Sequence, residues 1–439
     1  MWLSLGVIAM RNPRRPKVSS MPPLARAAAL MLAGGLPFTA SCGDSAAPDS
    51  RPAFMSIGPT PAIVSVGRTL PLTATVKDAQ GAVLSGIAPT WTSSDAATVG
   101  VSAAGVASGL AAGAATITAT AGGVSGATTV NVVGITPTKS QRHGQLIWLG
   151  PNIWTGLYVP GAQWTTVQAR THVLKLYLRD IAPDTSSLVP IATTLNQAHI
   201  AVAIESGGLR AGNCSGAQVG AVDRDHINKF VLAGGAISFI ALDEPFANSI
   251  ASGAVPNCGY TVAQAATELV TEIHIMREAF PGVEIGLIEP VPSYSVGVYP
   301  SNSGTGYGDL PQLLDTFLST LDQAHERIDF FHADAPYDYD QALPSGWQKL
   351  VALEQVVRAH GLRLGLIYNS EAGGQAGDQP FHDQTLAAVV AYQAAGGNPD
   401  DLIVQSWYSH PSAMVAEDQP NTFTNTGKDV IAEYDALYP

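Results

Sequence analysis

Eight short apolar runs, separated by stretches with helical periodicity, occupy the sequence after residue 142. The runs are residues 146–149, 173–178, 200–204, 237–242, 285–288, 328–331, 364–367 and 402–404. The clearest helical stretch places apolar residues three and four apart from Val262 to Phe280. Eight strands that alternate with helices over about 300 residues predict a (β/α)8 barrel at 142–439. A doubly wound parallel sheet is the alternative, but no G-x-G-x-x-G follows the first run.

Residues 55–133 have a different pattern, with short alternating strands separated by Gly and Asp turns. About seven strands in about 80 residues predict a β-sandwich. The motifs W-T-S-S-D at 91–95, G-V-A-S-G at 105–109 and G-A-A-T-I-T-A at 113–119 resemble the bacterial Ig-like group 2 domain. That resemblance implies a spacer or adhesion module without catalytic residues. Residues 134–141 form a Thr/Pro linker between the two domains.

The N-terminus is typical of an export signal. An apolar run at 27–36 follows Arg26 and is too short for a stable transmembrane anchor. Small residues then precede Cys42, and this arrangement resembles the lipobox of bacterial lipoproteins. We therefore predict a signal peptide at 1–41, a lipidated Cys42 and a tether at 42–54. The expected location is the cell surface or periplasm, with secretion as the alternative, and the lipid is the only expected contact with a membrane.

The charge balance of the chain argues against one class of partner. Of the 22 Lys and Arg, five precede Cys42, where there is no acid, so the remainder carries 17 basic against 35 acidic side chains. Such a surface repels phosphate backbones, which argues against a nucleic-acid partner.

In an exported chain the two remaining cysteines, Cys214 and Cys258, predict a disulfide. No ligand spacing supports a metal site, and no cofactor is predicted.

Polar and aromatic side chains follow the apolar runs, at the positions where barrel enzymes carry their active sites. They are Glu205, Asp243, Glu244, Glu289, His332, Asp334, Tyr337, Asn369, Glu371, Trp407 and Tyr408. Carboxyl groups can donate and accept protons, and flat aromatic rings can stack on sugars. This combination favours acid/base chemistry on a carbohydrate.

The D-E-P sequence at 243–245 resembles the Asn-Glu-Pro of retaining barrel glycosidases of clan A, the cellulase and mannanase superfamily. The resemblance implies that Glu244 is the acid/base. I-D-F-F-H at 328–332 is similar to that clan's sixth strand, which implies a substrate-site His332. S-E-A-G at 370–373 is similar to the motif that holds the nucleophile, which implies Glu371 in that role. Trp407 matches the clan's sugar-stacking Trp.

Several alternatives remain open at this point. Glu289 is the other candidate nucleophile, and Asp334 is a possible third acid or a turn residue. Trp154, Tyr294 and Tyr337 are candidate stacking platforms, and His332 has a core role as its alternative. Glu244 itself has the alternative of a loop-capping carboxylate.

These observations predict an exported glycoside hydrolase that cleaves a poly- or oligosaccharide by a two-carboxylate, retaining mechanism. One alternative is a non-catalytic surface protein that binds carbohydrate or mediates adhesion on a barrel scaffold. Another is an inverting or substrate-assisted hydrolase that uses Asp334.

Overall fold

The computed structural model describes residues 51–60, 62–133, 145–152, 155–159, 161–181, 185–254, 256–280, 282–291, 293–294, 296 and 307–438. These residues belong to one compact unit, Asp49–Pro439. The predicted signal peptide, Cys42, most of the tether, the linker and Trp154 lie outside the described residues.

The first part of the described chain is a β-sandwich, as predicted. Its strands are β1 (Phe54–Gly58), β2 (Ala62–Ser65), β3 (Thr69–Pro71), β4 (Thr73–Lys77), β5 (Thr90–Ser93), β6 (Val99–Val101), β7 (Val106–Gly109), β8 (Gly113–Ala121) and β9 (Val124–Val133). They form sheets of order β2-β9-β8-β5, β3-β7-β6 and β1-β4. Alternate side chains of β8 are buried, as expected of a strand with one face on a core. Side chains from all three sheets, including Ile57, Ala107 and Ile117, join in that core.

Trp91 of β5 packs against the sandwich core, and a neighbouring turn requires glycine to make room for it. Gly105 has a φ of +80°, and a Cβ at this position would lie 2.8 Å from the Trp91 ring. Both the left-handed backbone and the close approach therefore require glycine in the G-V-A-S-G motif.

The second part is a closed barrel of parallel strands, which confirms the predicted fold. Each predicted apolar run overlaps one strand. The strands are β10 (Leu146–Gly150), β11 (Val173–Tyr177), β12 (Ala201–Ser206), β13 (Phe239–Asp243), β14 (Glu284–Pro290), β15 (Phe330–Asp334), β16 (Arg363–Tyr368) and β17 (Asp401–Gln405). The barrel closes where Leu146 of β10 pairs with Asp401 of β17. Its interior is filled by side chains, with the Trp148 and Phe239 rings 4.7 Å apart.

Helices surround the barrel. Within the described ranges they are α1 (Thr165–Arg170), α2 (Thr185–Gln197), α3 (Gly216–Leu232), α4 (Pro245–Ser249), α5 (Val262–Ala279), α6 (Leu310–Gln323), α7 (Tyr337–Ala342), α8 (Gly346–Ala359), α9 (Glu371–Ala376), α10 (Asp378–Ala394) and α11 (Phe423–Leu437). A capping box fixes the start of α5, where Thr261 and Gln264 exchange hydrogen bonds. Among the described helices, none combines the length and apolarity that a bilayer crossing needs.

The sandwich packs on the barrel end opposite the carboxyl ends of the strands. Ile63 and Val133 belong to the same apolar cluster as the barrel side chains. A Cβ on Gly113 of β8 would lie 3.5 Å from the carbonyl of Asn196, near the end of α2. Because α2 returns the chain to the start of β12, this contact leaves the other end of the barrel open.

The predicted disulfide is present, with the Cα atoms of Cys214 and Cys258 5.7 Å apart. It joins the loop that follows β12 to the loop between α4 and α5. Both loops lie at the carboxyl end of the barrel, so the bridge stabilises one side of its mouth.

Candidate active site

Three adjoining cavities lie at the carboxyl ends of the strands. The central cavity, about 290 Å³, is lined by Tyr177, Arg179, Glu205, Asp243, Glu244, Ile288, Asp334, Ile367, Gln405 and Trp407. The outer cavity, about 190 Å³, is lined by Glu244, Pro290, Val291, Ser293, Asp334, Pro336, Tyr339, Glu371, Trp407 and Tyr408. The arginine cavity, about 340 Å³, is lined by Tyr177, Leu178, Arg179, Glu205, Ser206, Gly207, Arg210, His226 and Asp243. Because neighbouring cavities share lining residues, a ligand longer than one sugar can occupy more than one of them.

Glu244 lies at the turn between β13 and α4. Its φ is +47° and its ψ is +42°, a left-handed conformation that is strained for a residue other than glycine. Its backbone N–H donates to the carbonyl of Ile288 at 2.8 Å. Asn248 donates a hydrogen bond of 3.4 Å to its carboxylate. The half-buried side chain lines both the central and the outer cavity.

The carboxyl groups in these cavities perturb one another. Burial, followed by the charge of Asp334, raises the pKa of Glu244 to about 7, against the opposing Asn248 hydrogen bond. Burial also raises the pKa of Asp334 to about 7, with a smaller contribution from Asp243. The pKa of Asp243 is raised by burial and by the charges of Glu205 and Glu244. A carboxyl group that keeps its proton to near neutral pH can act as a general acid.

Glu205 is held by cationic and polar neighbours. The buried ammonium of Lys175 lies 2.6 Å from its carboxylate, and Gln405 donates a further hydrogen bond of 3.0 Å. Sequence reasoning missed Lys175, although a lysine inside the apolar run 173–178 was a signal that could have found it. Within the described ranges, no group of three or more His, Cys, Asp or Glu side chains is arranged to hold a metal ion.

Glu289, the alternative candidate nucleophile, lines none of the three cavities and lies in the protein interior. Its fully buried carboxylate accepts hydrogen bonds from the backbone N–H groups of Phe246 at 2.8 Å and Ala247 at 3.2 Å. The hydroxyl of Tyr294 donates a third at 2.9 Å. Burial raises the pKa of Glu289 to about 8. The side chain therefore satisfies the first backbone donors of α4.

Two predicted substrate contacts belong to the protein interior instead. Tyr294 is fully buried, with its hydroxyl on Glu289 and its ring 5.4 Å from that of Tyr307, so it offers no face to a sugar. His332 is also fully buried and hydrogen-bonds Asp401 at 3.2 Å. Burial lowers the pKa of His332 to about 4, and its buried position fits the core role that the sequence left as an alternative.

Asn369 and Tyr337 act behind the cavity walls. Asn369 is fully buried and donates a hydrogen bond of 3.2 Å to Asp334, so it positions that carboxyl group rather than contacting substrate. Tyr337 is half-buried, its ring lies 6.1 Å from that of Trp347, and it lines none of the three cavities.

Glu371 lies at the start of α9 and lines the outer cavity together with Glu244. The hydroxyl of Tyr339 donates to its carboxylate at 2.5 Å, and Gln375 donates at 3.1 Å. Its backbone N–H donates to Asp338 at 2.9 Å. These contacts hold the carboxylate in one orientation at the rim of the cavity.

Trp407 provides an aromatic surface at the centre of the mouth. It lines both the central and the outer cavity and packs on the inner core of the barrel. The Tyr408 ring lies 5.0 Å from it and extends the aromatic wall of the outer cavity.

Fold and site together define a chain with an Ig-like domain and a (β/α)8 barrel whose mouth is rich in carboxyl groups. Residues 53–132 match the family model described as bacterial Ig-like domain (group 2), against the predicted 55–133, which confirms the resemblance for the sandwich. No curated protein sequence matches the chain.

Solved structures resemble the chain at low identity. A bacterial Ig-like domain containing GH10 xylanase from termite gut is 11% identical, with a TM-score of 0.41 over 86% of this chain and 100% of that chain. An endo-1,4-beta-xylanase from Caldicellulosiruptor owensensis is 9% identical, with a TM-score of 0.40 over 60% of this chain and 86% of that chain. Domains 4 and 5 of the S-layer protein SbsC are 26% identical, with a TM-score of 0.18 over 20% of this chain and 54% of that chain.

Proposed function

We propose that the barrel is a glycoside hydrolase that cleaves a poly- or oligosaccharide. One observation carries the proposal: the carboxyl groups of Glu244 and Asp334 line two adjoining cavities at the barrel mouth, and the ring of Trp407 lines both as well. Sugars stack on aromatic faces, and the cleavage of a glycosidic bond needs an acid together with a second carboxyl group.

Glu244 serves as the acid in this proposal. With a pKa raised to about 7 it holds a proton that it can give to the leaving glycosidic oxygen. In a retaining reaction the same group, once ionised, accepts a proton from the water that releases the product. The neighbouring charge of Asp334 favours the protonated form of Glu244 before the first step.

Glu371 is the proposed nucleophile. It shares the outer cavity with Glu244, and the hydrogen bonds from Tyr339 and Gln375 orient its carboxylate. Asp334 lines the same cavity and is the competing partner in an inverting or substrate-assisted reaction.

The experiment that tests the function is hydrolysis by the purified full chain on a panel of polysaccharides, with release of reducing ends as the readout. Glu244→Gln should be inactive, and Glu278→Gln, which changes an exposed glutamate of α5, should match the wild type. Binding without hydrolysis across the panel would contradict the proposal and favour the non-catalytic alternative. Equal rates for Glu244→Gln and the wild type would remove Glu244 as the acid.

The nucleophile is tested by stereochemistry. With an active substrate, NMR should show a product of retained anomeric configuration. Azide should restore turnover in Glu371→Ala by forming a glycosyl azide of inverted configuration. An inverted product from the wild type would contradict the retaining mechanism, and azide rescue in Asp334→Ala alone would assign the second carboxyl group to Asp334.

Export is the proposed setting of this activity. The Cys214–Cys258 disulfide supports an oxidising compartment, because disulfides persist mainly outside the cytosol. Lipidation of Cys42 is proposed as the anchor. Incorporation of labelled fatty acid into the wild type, and its loss in Cys42→Ala, would test it.

A further inference from the structure

We propose that the arginine cavity is a subsite for an anionic sugar substituent, either the carboxylate of a uronic acid or a sulfate ester. The inference rests on the proposed function and names the class of substrate. The cavity shares Tyr177, Arg179, Glu205 and Asp243 with the central cavity, so a sugar bound there belongs to a chain that reaches Glu244.

Arg179 forms one side of this subsite. Its guanidinium lies 4.6 Å from the centre of the Tyr177 ring, and one of its nitrogens donates to Asn152 at 2.8 Å. These two contacts hold the planar group in place, its Nε lies 3.7 Å from Asp180, and 61% of the side chain stays exposed. The exposed N–H groups are therefore available to a ligand.

Arg210 forms another part of the lining, on a loop that backbone hydrogen bonds and a disulfide constrain. The backbone of Arg210 and Asn213 exchanges two hydrogen bonds, and the next residue, Cys214, is tied to Cys258. One guanidinium nitrogen contacts the Gly207 carbonyl and lies 3.5 Å from Asp243. The side chain is 46% exposed.

The guanidinium groups of Arg179 and Arg210 both stay partly exposed at this cavity, where an anion could reach them. The ammonium of Lys175 lies 2.6 Å from Glu205, Arg210 lies 3.5 Å from Asp243, and Arg179 lies 3.7 Å from Asp180, so each cation has one carboxylate beside it. Burial raises the pKa of Asp243, which weakens the negative charge beside Arg210. Two arginines in the lining of one cavity contrast with the net charge of −13 on the whole chain. Guanidinium groups bind carboxylate and sulfate oxygens through paired, charge-assisted hydrogen bonds.

Direct binding of monosaccharides tests the subsite without requiring catalysis. The probes are D-glucuronate, D-glucose 6-sulfate and D-glucose, titrated into the full chain with NMR or calorimetry as the readout. We expect one or both anions to bind, D-glucose to bind more weakly, and Arg179→Gln and Arg210→Gln each to weaken anion binding by about tenfold or more. Arg327→Gln removes the same charge from a side chain that is 74% exposed and lines none of the three cavities, and should have no effect.

Each outcome decides a separate question. Failure of both anions to bind, binding equal to that of D-glucose, or binding unchanged in both arginine variants would overturn the subsite. Preference for glucuronate over the sulfate ester identifies the carboxylate as the substituent, and the reverse identifies the sulfate. Arginine-dependent binding with no hydrolysis of any polysaccharide would overturn the hydrolase function alone. Hydrolysis of neutral polysaccharides only, with no anion binding, would overturn the subsite alone.

Discussion

Glu244 and Glu289 have the same sequence context, a glutamate before a proline at the end of a barrel strand, yet they occupy opposite environments. Strands β13 and β14 are neighbours, and Asp243 pairs with Ile288. The two glutamates therefore lie at the same level of the barrel. Glu244 faces two cavities, whereas Glu289 is fully buried beneath the first turn of α4.

Backbone conformation explains the difference. Side chains alternate along a strand, and both Asp243 and Ile288 line the central cavity, so the next residue of each strand should point away from it. Glu289 follows that rule because β14 continues to Pro290. Glu244 departs from it because its left-handed backbone redirects the side chain into the cavity.

The comparison also limits what a raised pKa indicates. Burial raises the pKa of Glu244 to about 7 and that of Glu289 to about 8. The direction and the main cause are the same, but only Glu244 can meet a substrate. Access to the cavity, rather than the shift itself, distinguishes a catalytic candidate from a structural carboxyl group.

Glu244→Gln should give the largest effect. Loss of the general acid should lower kcat/KM on a polysaccharide by about 10²–10⁴-fold while the unfolding transition stays in place. Aryl glycosides with good leaving groups need little protonation, so their first step should be nearly unaffected. Steady-state kinetics and thermal unfolding measure the two effects. A variant that loses stability together with activity would remove the contrast with Glu289.

Glu289→Ala should affect stability instead. It would leave the buried N–H groups of Phe246 and Ala247 and the Tyr294 hydroxyl without their acceptor, at a cost of about 1–3 kcal/mol in the free energy of unfolding. Denaturant unfolding measures this cost. Tyr294→Phe removes one donor and should cost less. Unchanged stability in Glu289→Ala would show that these hydrogen bonds contribute little to α4.

Glu272 on α5, a fully buried carboxyl group that lines none of the three cavities, tests how burial and the nearby charge of Asp223 change the pH dependence of stability. Burial raises its pKa to about 8 from an ordinary 4.5. Between these values the folded state holds a proton that the unfolded state has lost, so stability falls as pH rises, by up to about 1.4 kcal/mol per pH unit.

Glu272→Gln should remove this contribution, which denaturant unfolding at several pH values measures, and should leave kcat unchanged. The same slope in Glu272→Gln and the wild type would contradict the proposed protonation. A large loss of kcat would show that this carboxyl group influences the mouth.

The pH profile of activity should show the smallest effects. Activity should fall as pH rises through about 7, because Glu244 then loses the proton it donates. Asn248→Ala removes a hydrogen bond that lowers the pKa of Glu244, so the basic limb should move to higher pH. Asp334→Asn removes a charge that raises this pKa, so the limb of its remaining activity should move to lower pH. Shifts in the same direction for both variants would contradict this account.

Much of the architecture was predictable from the sequence. The eight apolar runs predicted the eight barrel strands, because a strand of a parallel barrel is buried on both faces and is therefore apolar throughout. The amphipathic helices between the runs supply the outer layer that covers those strands. The Ig-like motifs predicted the sandwich, and two cysteines in a chain expected to be exported predicted the disulfide. The position of Glu244 at the end of its strand was also predictable, since carboxyl ends of parallel strands meet at one face.

Only the tertiary structure decided which polar side chains reach that face. Glu289 and His332 stand at or near strand ends like Glu244, but the direction in which each points depends on the backbone conformation and on the elements packed against it. The ion pair of Lys175 with Glu205 likewise depends on the tertiary structure. It joins side chains of two neighbouring strands, β11 and β12, and no sequence motif links them. A sequence specifies periodicity along one strand, whereas the orientation of a side chain at the strand end depends on the register and packing of its neighbours.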